Sequence, residues 1–128
     1  MMLKAKGNKV SGISLAAEKS SIFNLSNLED IFENNLIKDI RDISNSDLPK
    51  MDIDVVIHLA AQPLVKTSYD FPVETFQTNV IGTLNVLELT KKLKPKATLI
   101  ITTDKVYKNT SKKNGYVESD PLGGSDPY

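Results

Sequence analysis

The chain has 128 residues, of which 40% are hydrophobic and 25% are charged, the balance of a single globular domain. Its 16 basic and 16 acidic residues give no net charge, so the basic surplus of a nucleic-acid or anionic-membrane binder is missing. With no Cys and one His, the sequence excludes disulfides, thiolate catalysis and Cys- or His-rich metal sites, and we expect no metal.

The first half of the chain alternates between predicted strands and a short helix. Residues 10–15 alternate weakly in hydrophobicity and predict a strand. Ser26 and Glu29 fit a capping box, which predicts a short helix that starts at Ser26 and runs to about residue 34. Residues 36–40 predict a second, weaker strand. Residues 54–59 are β-branched and nearly all apolar, which is typical of a strand buried on both faces.

The second half contains the longest predicted helix. Pro72 suits its first turn, where a missing N–H costs nothing. Apolar residues then recur at steps of three and four along one stripe: Val73, Phe76, Val80, Leu84 and Leu87. Three lysines complement the far end of the helix dipole, and Pro95 ends the helix. Residues 98–102 predict a fourth strand, and the sequence from residue 108 onward predicts a long loop.

This order of elements predicts an α/β fold with a parallel sheet and right-handed crossovers. In such sheets, ligands bind beyond the carboxyl ends of the strands. The polar or small residues at those ends are therefore the first candidates for a site: Ser14, Asp39, residues 58–62 and residues 102–105.

Thr103, Asp104 and Lys105 directly follow the fourth predicted strand. A hydroxyl, a carboxyl and an amine at that place supply a hydrogen-bond donor, a general acid and a general base, although a solvated turn fits the same residues. We interpret His58 as a strand-end histidine that is hydrogen-bonded to its neighbours. Asn79 lies beside the apolar stripe of the long helix, where it makes a polar contact toward a site or a loop, or is simply exposed.

The longest mostly apolar run, residues 53–61, is far shorter than the roughly 20 residues that a membrane span needs. The N-terminus has no apolar core of the kind that a signal peptide contains. We therefore expect a cytoplasmic protein that binds neither membrane nor nucleic acid.

Several motifs together resemble those of the CDP-glucose 4,6-dehydratases, which belong to the extended short-chain dehydrogenase/reductase superfamily. The motifs are His58-Leu59-Ala60-Ala61-Gln62-Pro63-Leu64-Val65, Ser68-Tyr69, Thr78-Asn79-Val80-Ile81-Gly82-Thr83, Thr103-Asp104-Lys105 with Tyr107, Asp120-Pro121-Leu122-Gly123-Gly124 and Asp126-Pro127-Tyr128. Ala-Ala and Asn-Val-x-Gly-Thr are shared across the superfamily, so they indicate only the cofactor fold. The Thr-Asp-Lys triplet together with Gly-Gly-x-Asp-Pro-Tyr is the more specific combination.

The resemblance implies a lyase reaction on CDP-glucose that proceeds by internal oxidation and reduction with NAD. In that reaction Tyr128 deprotonates the sugar 4-hydroxyl, to which Thr103 is hydrogen-bonded. Lys105 removes the C5 proton, and Asp104 protonates the departing 6-hydroxyl. The product is a 4-keto-6-deoxy sugar nucleotide, and the intact enzyme is expected to be a homo-oligomer.

The resemblance also implies a Rossmann-like doubly wound parallel sheet that binds the cofactor. Under it, the cofactor-binding residues are Ser14, Asp39, Ile40, Leu59, Ala60, Ala61, Gln62, Thr78, Asn79 and Thr102. Asp39 and Ile40 would flank adenine, and Asn79 would support the catalytic geometry. Ser14 stands near the place where an acidic residue would select the ribose 2′-hydroxyl, so the choice between NAD and NADP stays open.

The 128 residues depart from the family pattern in three ways. No Gly-x-x-Gly-x-x-Gly follows a first strand, no Lys stands four residues after Tyr128, and the C-terminal substrate region is missing. In strand order 3-2-1-4-5 the missing first strand is the central one, so the second and fourth strands would flank a gap with open edges. We therefore expect residues 1–128 to form an incomplete NAD(P)-binding domain, a truncated product that is weakly folded and inactive alone.

Two other interpretations stay open. The chain is alternatively part of another extended short-chain enzyme, a dTDP- or UDP-sugar dehydratase or a 4-epimerase, although Lys105 and the Leu122-Gly123-Gly124 turn argue against this. Or it is a non-catalytic interaction module that pairs its open strand edges with a partner chain.

Overall fold

The computed structural model describes residues 2–48 and 52–128. The chain divides into two compact units, residues 1–51 and residues 52–128. That the two units form one domain stays a prediction.

The first unit is built on one pair of parallel strands. Its elements are α1 (Met2–Ala5), β1 (Ser11–Ser14), α2 (Ile22–Leu25), a 3-10 turn (Leu28–Ile31), β2 (Asn34–Ile37) and a second 3-10 turn (Asn45–Asp47). β1 and β2 pair in parallel, with Ile13 opposite Leu36. The ring of Phe32 packs 6.0 Å from that of Phe23 and lies against Gly12, where a side chain would find no space.

The predicted helix from Ser26 to about residue 34 is wrong. α2 begins earlier, because the Ser21 side chain caps it by accepting a hydrogen bond from the main chain of Asn24 at 3.3 Å. Ser26 ends this helix instead of starting one, and Asn27 takes a left-handed conformation with φ 49°. That backbone breaks the helical path, so Glu29 belongs to a 3-10 turn and β2 follows directly.

The second unit contains the other pair of parallel strands and the long helix. Its elements are β3 (Val55–His58), α3 (Val65–Asp70), α4 (Pro72–Phe76), a π-helical segment (Gln77–Gly82), α5 (Thr83–Leu93), β4 (Ala97–Ile100) and a 3-10 turn (Asp104–Val106). β3 and β4 pair in parallel, with His58 opposite Ile100. Pro72 occupies the first turn of α4, as predicted, and Lys94 ends α5 with a left-handed φ of 47°.

The strand pairs agree with the predicted fold class. The general strand order 3-2-1-4-5 contains two pairs that do not involve its first strand, 3-2 and 4-5. β1 and β2 correspond to the second and third strands of that order, and β3 and β4 correspond to the fourth and fifth. All four predicted strands exist, with shifted ends. The largest shift is that of β2, which begins at Asn34 and leaves Asp39 and Ile40 just beyond its carboxyl end. Each unit therefore contains part of a Rossmann-like parallel sheet.

The apolar stripe of the long helix does not supply a core within the second unit. Its members stay 40–69% exposed, whereas Thr75, Gly82 and Leu89 are the buried residues on α4, the π segment and α5. α5 contacts β3, and the three buried residues are spaced seven apart, which places them on one side of the helix away from the stripe. Within residues 2–48 and 52–128, no helix has the length and apolar character that crossing a membrane demands.

Candidate functional site

The Thr103-Asp104-Lys105 triplet lies directly past the carboxyl end of β4, where a parallel sheet places its ligands. Thr103 is the N-cap of the 3-10 turn: its Oγ1 accepts a hydrogen bond from Lys105 N at 3.3 Å. The same hydroxyl donates to Asp104 Oδ1 at 3.2 Å. Thr102, which joins β4 to the triplet, is exposed. The turn therefore presents a hydroxyl, a carboxyl and an amine side by side.

The chain returns to this turn after a loop. Tyr107 and Leu122 form an isolated antiparallel bridge, and Lys108 N donates to the carbonyl of Pro121 at 2.8 Å. Gly123 N donates to the carbonyl of Val106 at 3.0 Å, and Gly123 has a φ of 156°, a conformation that side chains disfavour. The bridge carries the last residues back beside the end of β4.

Asp126 joins the two ends of this loop. Its Oδ2 forms an ion pair with Lys105 Nζ at 2.5 Å, and its Oδ1 accepts a hydrogen bond from Tyr128 N at 3.1 Å. The Asp126 side chain is only 8% exposed, against 39% for that of Lys105. The hydrogen bond raises the pKa of Lys105 above its usual value, and it lowers the pKa of Asp126. Lys105 and the main chain of Tyr128 thus share one carboxylate.

His58 occupies the carboxyl end of β3 and is buried. Its Nε2 lies 2.8 Å from Thr83 Oγ1, and that hydroxyl donates its hydrogen to the carbonyl of Asn79 at 2.7 Å. Because the hydroxyl has one hydrogen, His58 Nε2 must be the donor in the first contact. Burial lowers the pKa of His58, which favours the neutral ring. These contacts support the interpretation of a hydrogen-bonded strand-end histidine.

Asn79 fixes the loop that follows β3. Its Oδ1 accepts from Gln62 N at 2.8 Å, and its Nδ2 donates to the carbonyl of Gln62 at 3.1 Å. The side chain of Gln62 reaches the same helix, where its Nε2 donates to Thr75 Oγ1 at 2.9 Å. Asn79 lies in the π segment, the local irregularity that often marks a functional site in a helix. Of the two possibilities that the sequence left for Asn79, the structure selects the polar contact with a loop.

The two hydrogen bonds between Asn79 and Gln62 are called the clamp below, and the other cofactor candidates of this unit are neighbours of these two residues in the sequence. Leu59, Ala60 and Ala61 stand between the buried His58 and the fixed Gln62, and Leu59 is 69% exposed. Thr78 is half-buried in the π segment next to Asn79. The loop that follows β3 therefore carries two small side chains and is largely exposed.

In the first unit, Ser14 ends β1 and is exposed, and its hydroxyl donates to the carbonyl of Leu15 at 3.0 Å. The carboxylate of Asp39 accepts hydrogen bonds from Arg41 N at 2.8 Å and from the Arg41 guanidinium, which lower its pKa. The side chain of Ile40 is 7% exposed, so it offers a ligand little apolar surface. A cleft of about 400 Å³ opens beside Ser14.

Asp126 is the site residue that the sequence analysis did not single out. The only local signal was the Asp-Pro-Tyr sequence, since an Asp side chain commonly accepts from the main chain two residues further on. Its longer contact, to Lys105, spans 21 residues and depends on the Tyr107–Leu122 bridge. Among the residues that the structure describes, no group of three His, Cys, Asp or Glu side chains is arranged to hold a metal ion.

The parallel strand pairs, with polar residues past their carboxyl ends, define the Rossmann-like α/β class of fold. A comparison with protein families identifies it more closely. The chain belongs to the family described as GDP-mannose 4,6 dehydratase, whose model matches residues 1–128.

Individual relatives agree with this assignment. The chain is 40% identical over 132 residues to the CDP-glucose 4,6-dehydratase of Salmonella typhimurium, an alignment that covers 100% of the chain and 36% of the relative. The chain therefore spans about a third of that protein. It superposes on Pal from Bacillus thuringiensis with a TM-score of 0.81 at 23% identity, covering 99% of the chain and 42% of Pal. For a dTDP-glucose 4,6-dehydratase from Streptomyces venezuelae, solved with NAD bound, the TM-score is 0.80 at 22% identity, with coverage of 99% and 42%.

Proposed function

We propose that this chain is the cofactor- and catalysis-bearing part of a sugar-nucleotide dehydratase that converts CDP-glucose to CDP-4-keto-6-deoxyglucose. One observation supports it most directly: the Thr103-Asp104-Lys105 turn past β4 lies beside the returning main chain of Tyr128, tied through Asp126. The Salmonella relative, which matches the chain from end to end, has the corresponding name. That the chain alone is inactive, that it works in the cytoplasm and that the intact enzyme is a homo-oligomer stay predictions.

NAD is the cofactor that we propose for this site, because the Streptomyces dehydratase was solved with it. When bound, NAD supplies the electron-pair acceptor and donor for the sugar carbon that no side chain can provide. In the second unit it would be held by residues 59–61, Gln62, Thr78, Asn79 and Thr102, and the exposed Leu59 and Ala61 just past β3 are consistent with that role. That Ser14, Asp39 and Ile40 of the first unit also bind the cofactor stays a prediction of the resemblance.

The acid and base steps belong to side chains of this chain. Tyr128 takes the proton of the sugar 4-hydroxyl, to which Thr103 donates a hydrogen bond. Once C4 is a ketone, the C5 hydrogen is acidic enough for the neutral amine of Lys105 to remove it. Asp104 gives its proton to the departing 6-hydroxyl, which leaves as water. The proton that Lys105 removed returns to C5 when C6 is reduced, so the net change in the sugar is the loss of one water.

The resting contacts show what must change for these steps. The Thr103 hydroxyl donates to Asp104 Oδ1 in the structure, so it has to turn toward a substrate hydroxyl. The Lys105 amine is charged while it pairs with Asp126, so it acts as a base only after that pair opens and the ammonium gives its proton to water. Thr103 therefore needs only a rotation of its side chain, whereas Lys105 needs a rotation and the loss of a proton.

A chimera tests the proposal. The segment of the Salmonella enzyme that the chain matches is replaced by residues 1–128, and conversion of CDP-, UDP- and dTDP-glucose is measured. We expect turnover of CDP-glucose above the other two. Lys105→Ala in the chimera should lower kcat by about 10²- to 10⁴-fold, the usual contribution of a general base.

The matched control is Lys113→Ala, which removes an exposed lysine in the loop and should leave kcat unchanged. A chimera that prefers UDP- or dTDP-glucose would contradict the proposed substrate. Equal effects of the two lysine variants would contradict the proposed role of Lys105.

A further inference from the structure

The carboxylate of Asp126 is nearly buried, and each of its oxygens has one partner. Oδ2 contacts the Lys105 ammonium at 2.5 Å, and Oδ1 accepts from Tyr128 N at 3.1 Å. A buried carboxylate is costly unless it is paired and hydrogen-bonded, so this arrangement keeps both partners in place. Asp126 touches neither the 4-hydroxyl nor C5 in the proposed reaction, yet it connects two of the residues that do.

Three titratable groups act on the Lys105 ammonium from different elements. Asp126 lies in the segment that follows the Tyr107–Leu122 bridge, Tyr69 lies in α3, and Asp104 lies in the same 3-10 turn as Lys105. Asp126 is the partner in direct contact, and its hydrogen bond is the largest cause of the raised pKa of Lys105. The position and the charge of this amine therefore depend first on Asp126.

We propose that Asp126 is a positioning residue that anchors the Lys105 ammonium past the end of β4 and ties it to the main chain of Tyr128. The inference rests on the proposed function for its catalytic meaning, since Lys105 is the base in that proposal. In the resting protein, Asp126 keeps the Lys105 amine charged and connects it to the main chain of Tyr128. When a sugar occupies the site, the pair opens and the ammonium passes its proton to water, which leaves the neutral amine as the base.

The first test is a measurement of the Lys105 pKa in the 128-residue chain, from the pH dependence of its labelled ε-carbon resonance. We expect a pKa above the ordinary 10.5 in the wild type, a decrease toward 10.5 in Asp126→Asn, and a return above it in Asp126→Glu. Asn at this position can still accept from Tyr128 N, so the variant removes the charge and keeps the turn. Hydrogen exchange of Gly123 N–H, which donates to Val106, reports whether the bridge is intact.

The matched control is Asp120→Asn, which removes the ion pair between Asp120 and Lys112 elsewhere in the same unit. It should leave the Lys105 pKa unchanged. An ordinary Lys105 pKa in the wild type overturns the proposal whatever the variants do. The proposal is also overturned if Asp120→Asn changes the Lys105 pKa as much as Asp126→Asn does.

Kinetics in the chimera separate this inference from the proposed function. If Lys105 is the base, Asp126→Asn should move the acid limb of the kcat profile to lower pH, and Asp126→Glu should restore it. An inactive chimera in which Lys105 still shows the Asp126-dependent pKa contradicts the proposed function and leaves the anchoring in place. An active chimera in which Asp126→Asn does not change the dependence of kcat on pH contradicts the anchoring role of Asp126 but not the proposed function.

Discussion

The side-chain amide of Asn79 binds both main-chain groups of Gln62, accepting from its N–H at 2.8 Å and donating to its carbonyl at 3.1 Å. A carboxamide is the group that can do both at once, because it has an acceptor and a donor side by side. The π segment of the long helix is thereby fixed to the loop that follows β3. This is the loop for which the family resemblance predicts contact with the cofactor.

Asn79→Ala should destabilise the second unit. Both main-chain groups of Gln62 lose their partner, and leaving half-buried polar groups without one costs about 1–3 kcal/mol. Asn79→Asp should cost less, because a carboxylate still accepts from Gln62 N but cannot donate to Gln62 O. Urea unfolding of the purified variants measures the difference in free energy.

The control for this clamp is Gln77→Ala, an exposed position in the same π segment. It should change the free energy of unfolding by less than about 0.5 kcal/mol. Similar losses in Gln77→Ala and Asn79→Ala would mean that the helix, and not the clamp, governs the result.

His58 should give the second unit a pH-dependent stability near neutrality. Burial lowers the pKa of His58 in the folded state below the ordinary 6.5, so between the two values only the unfolded chain binds the proton. The free energy of unfolding should therefore be constant above about pH 7 and fall as the pH drops below 6.5. Because the chain has one His, its ring-proton resonance can be followed without assignment variants.

His58→Gln should remove this slope between about pH 5.5 and 7.5, a window above the titration of most carboxylates. An observed His58 pKa at or above 6.5 would contradict the burial that the structure gives it.

The strands were predictable because their signal is local. Four short β-branched or apolar runs predicted all four strands, and the element order predicted parallel pairing. The six-residue helix α3 was missed, since Val65 and Thr67 weaken any helical signal in so short a segment. Ser26 and Glu29 matched a capping pattern that the structure does not use there, because left-handed Asn27 intervenes.

The candidate site likewise has a part that the local sequence predicted and a part that it did not. The place of Thr103, Asp104 and Lys105 past β4 followed from the rule for parallel sheets. Asp126 did not follow, because its contact with Lys105 requires an antiparallel bridge 15 residues apart in sequence, between Tyr107 and Leu122. No periodicity within the loop encodes such a pairing.

Gly12→Ala should destabilise the first unit. A Cβ at Gly12 would lie 2.9 Å from Phe32 Cε1, and the Phe32 ring is itself packed against Phe23. The ring has to move away from its partner, and overpacking of this kind costs about 1–3 kcal/mol. Urea unfolding followed at the Ile13 amide resonance reports on the β1–β2 pair alone.

Gly115→Ala is the matched control, since a Cβ there would meet no atom within 4 Å. Its free energy of unfolding should stay at or slightly above that of the wild type. Equal free energies of unfolding for the two glycine variants would show that the Phe32 ring moves aside without a loss of stability.

Asp47 should titrate unusually low. Its carboxylate accepts hydrogen bonds from Lys38 Nζ at 2.7 Å and from Ser44 N and Oγ at 2.8 Å, and these contacts lower its pKa from 3.8 to about 2. The folded-state pKa is depressed, so the stability that Asp47 contributes is complete above about pH 4 and is lost as the pH falls toward 2. The carboxyl-carbon resonance of Asp47 measures this pKa directly.

Lys38→Gln should raise the Asp47 pKa, because the hydrogen bond from Lys38 is the largest cause of the lowered value. The matched control is Lys4→Gln, which breaks the 3.0 Å pair with Glu33 in the same unit and should leave the Asp47 pKa unchanged. An Asp47 that titrates near 3.8 in the wild type would contradict its contacts with Lys38 and Ser44, because both lower the pKa of this one carboxylate.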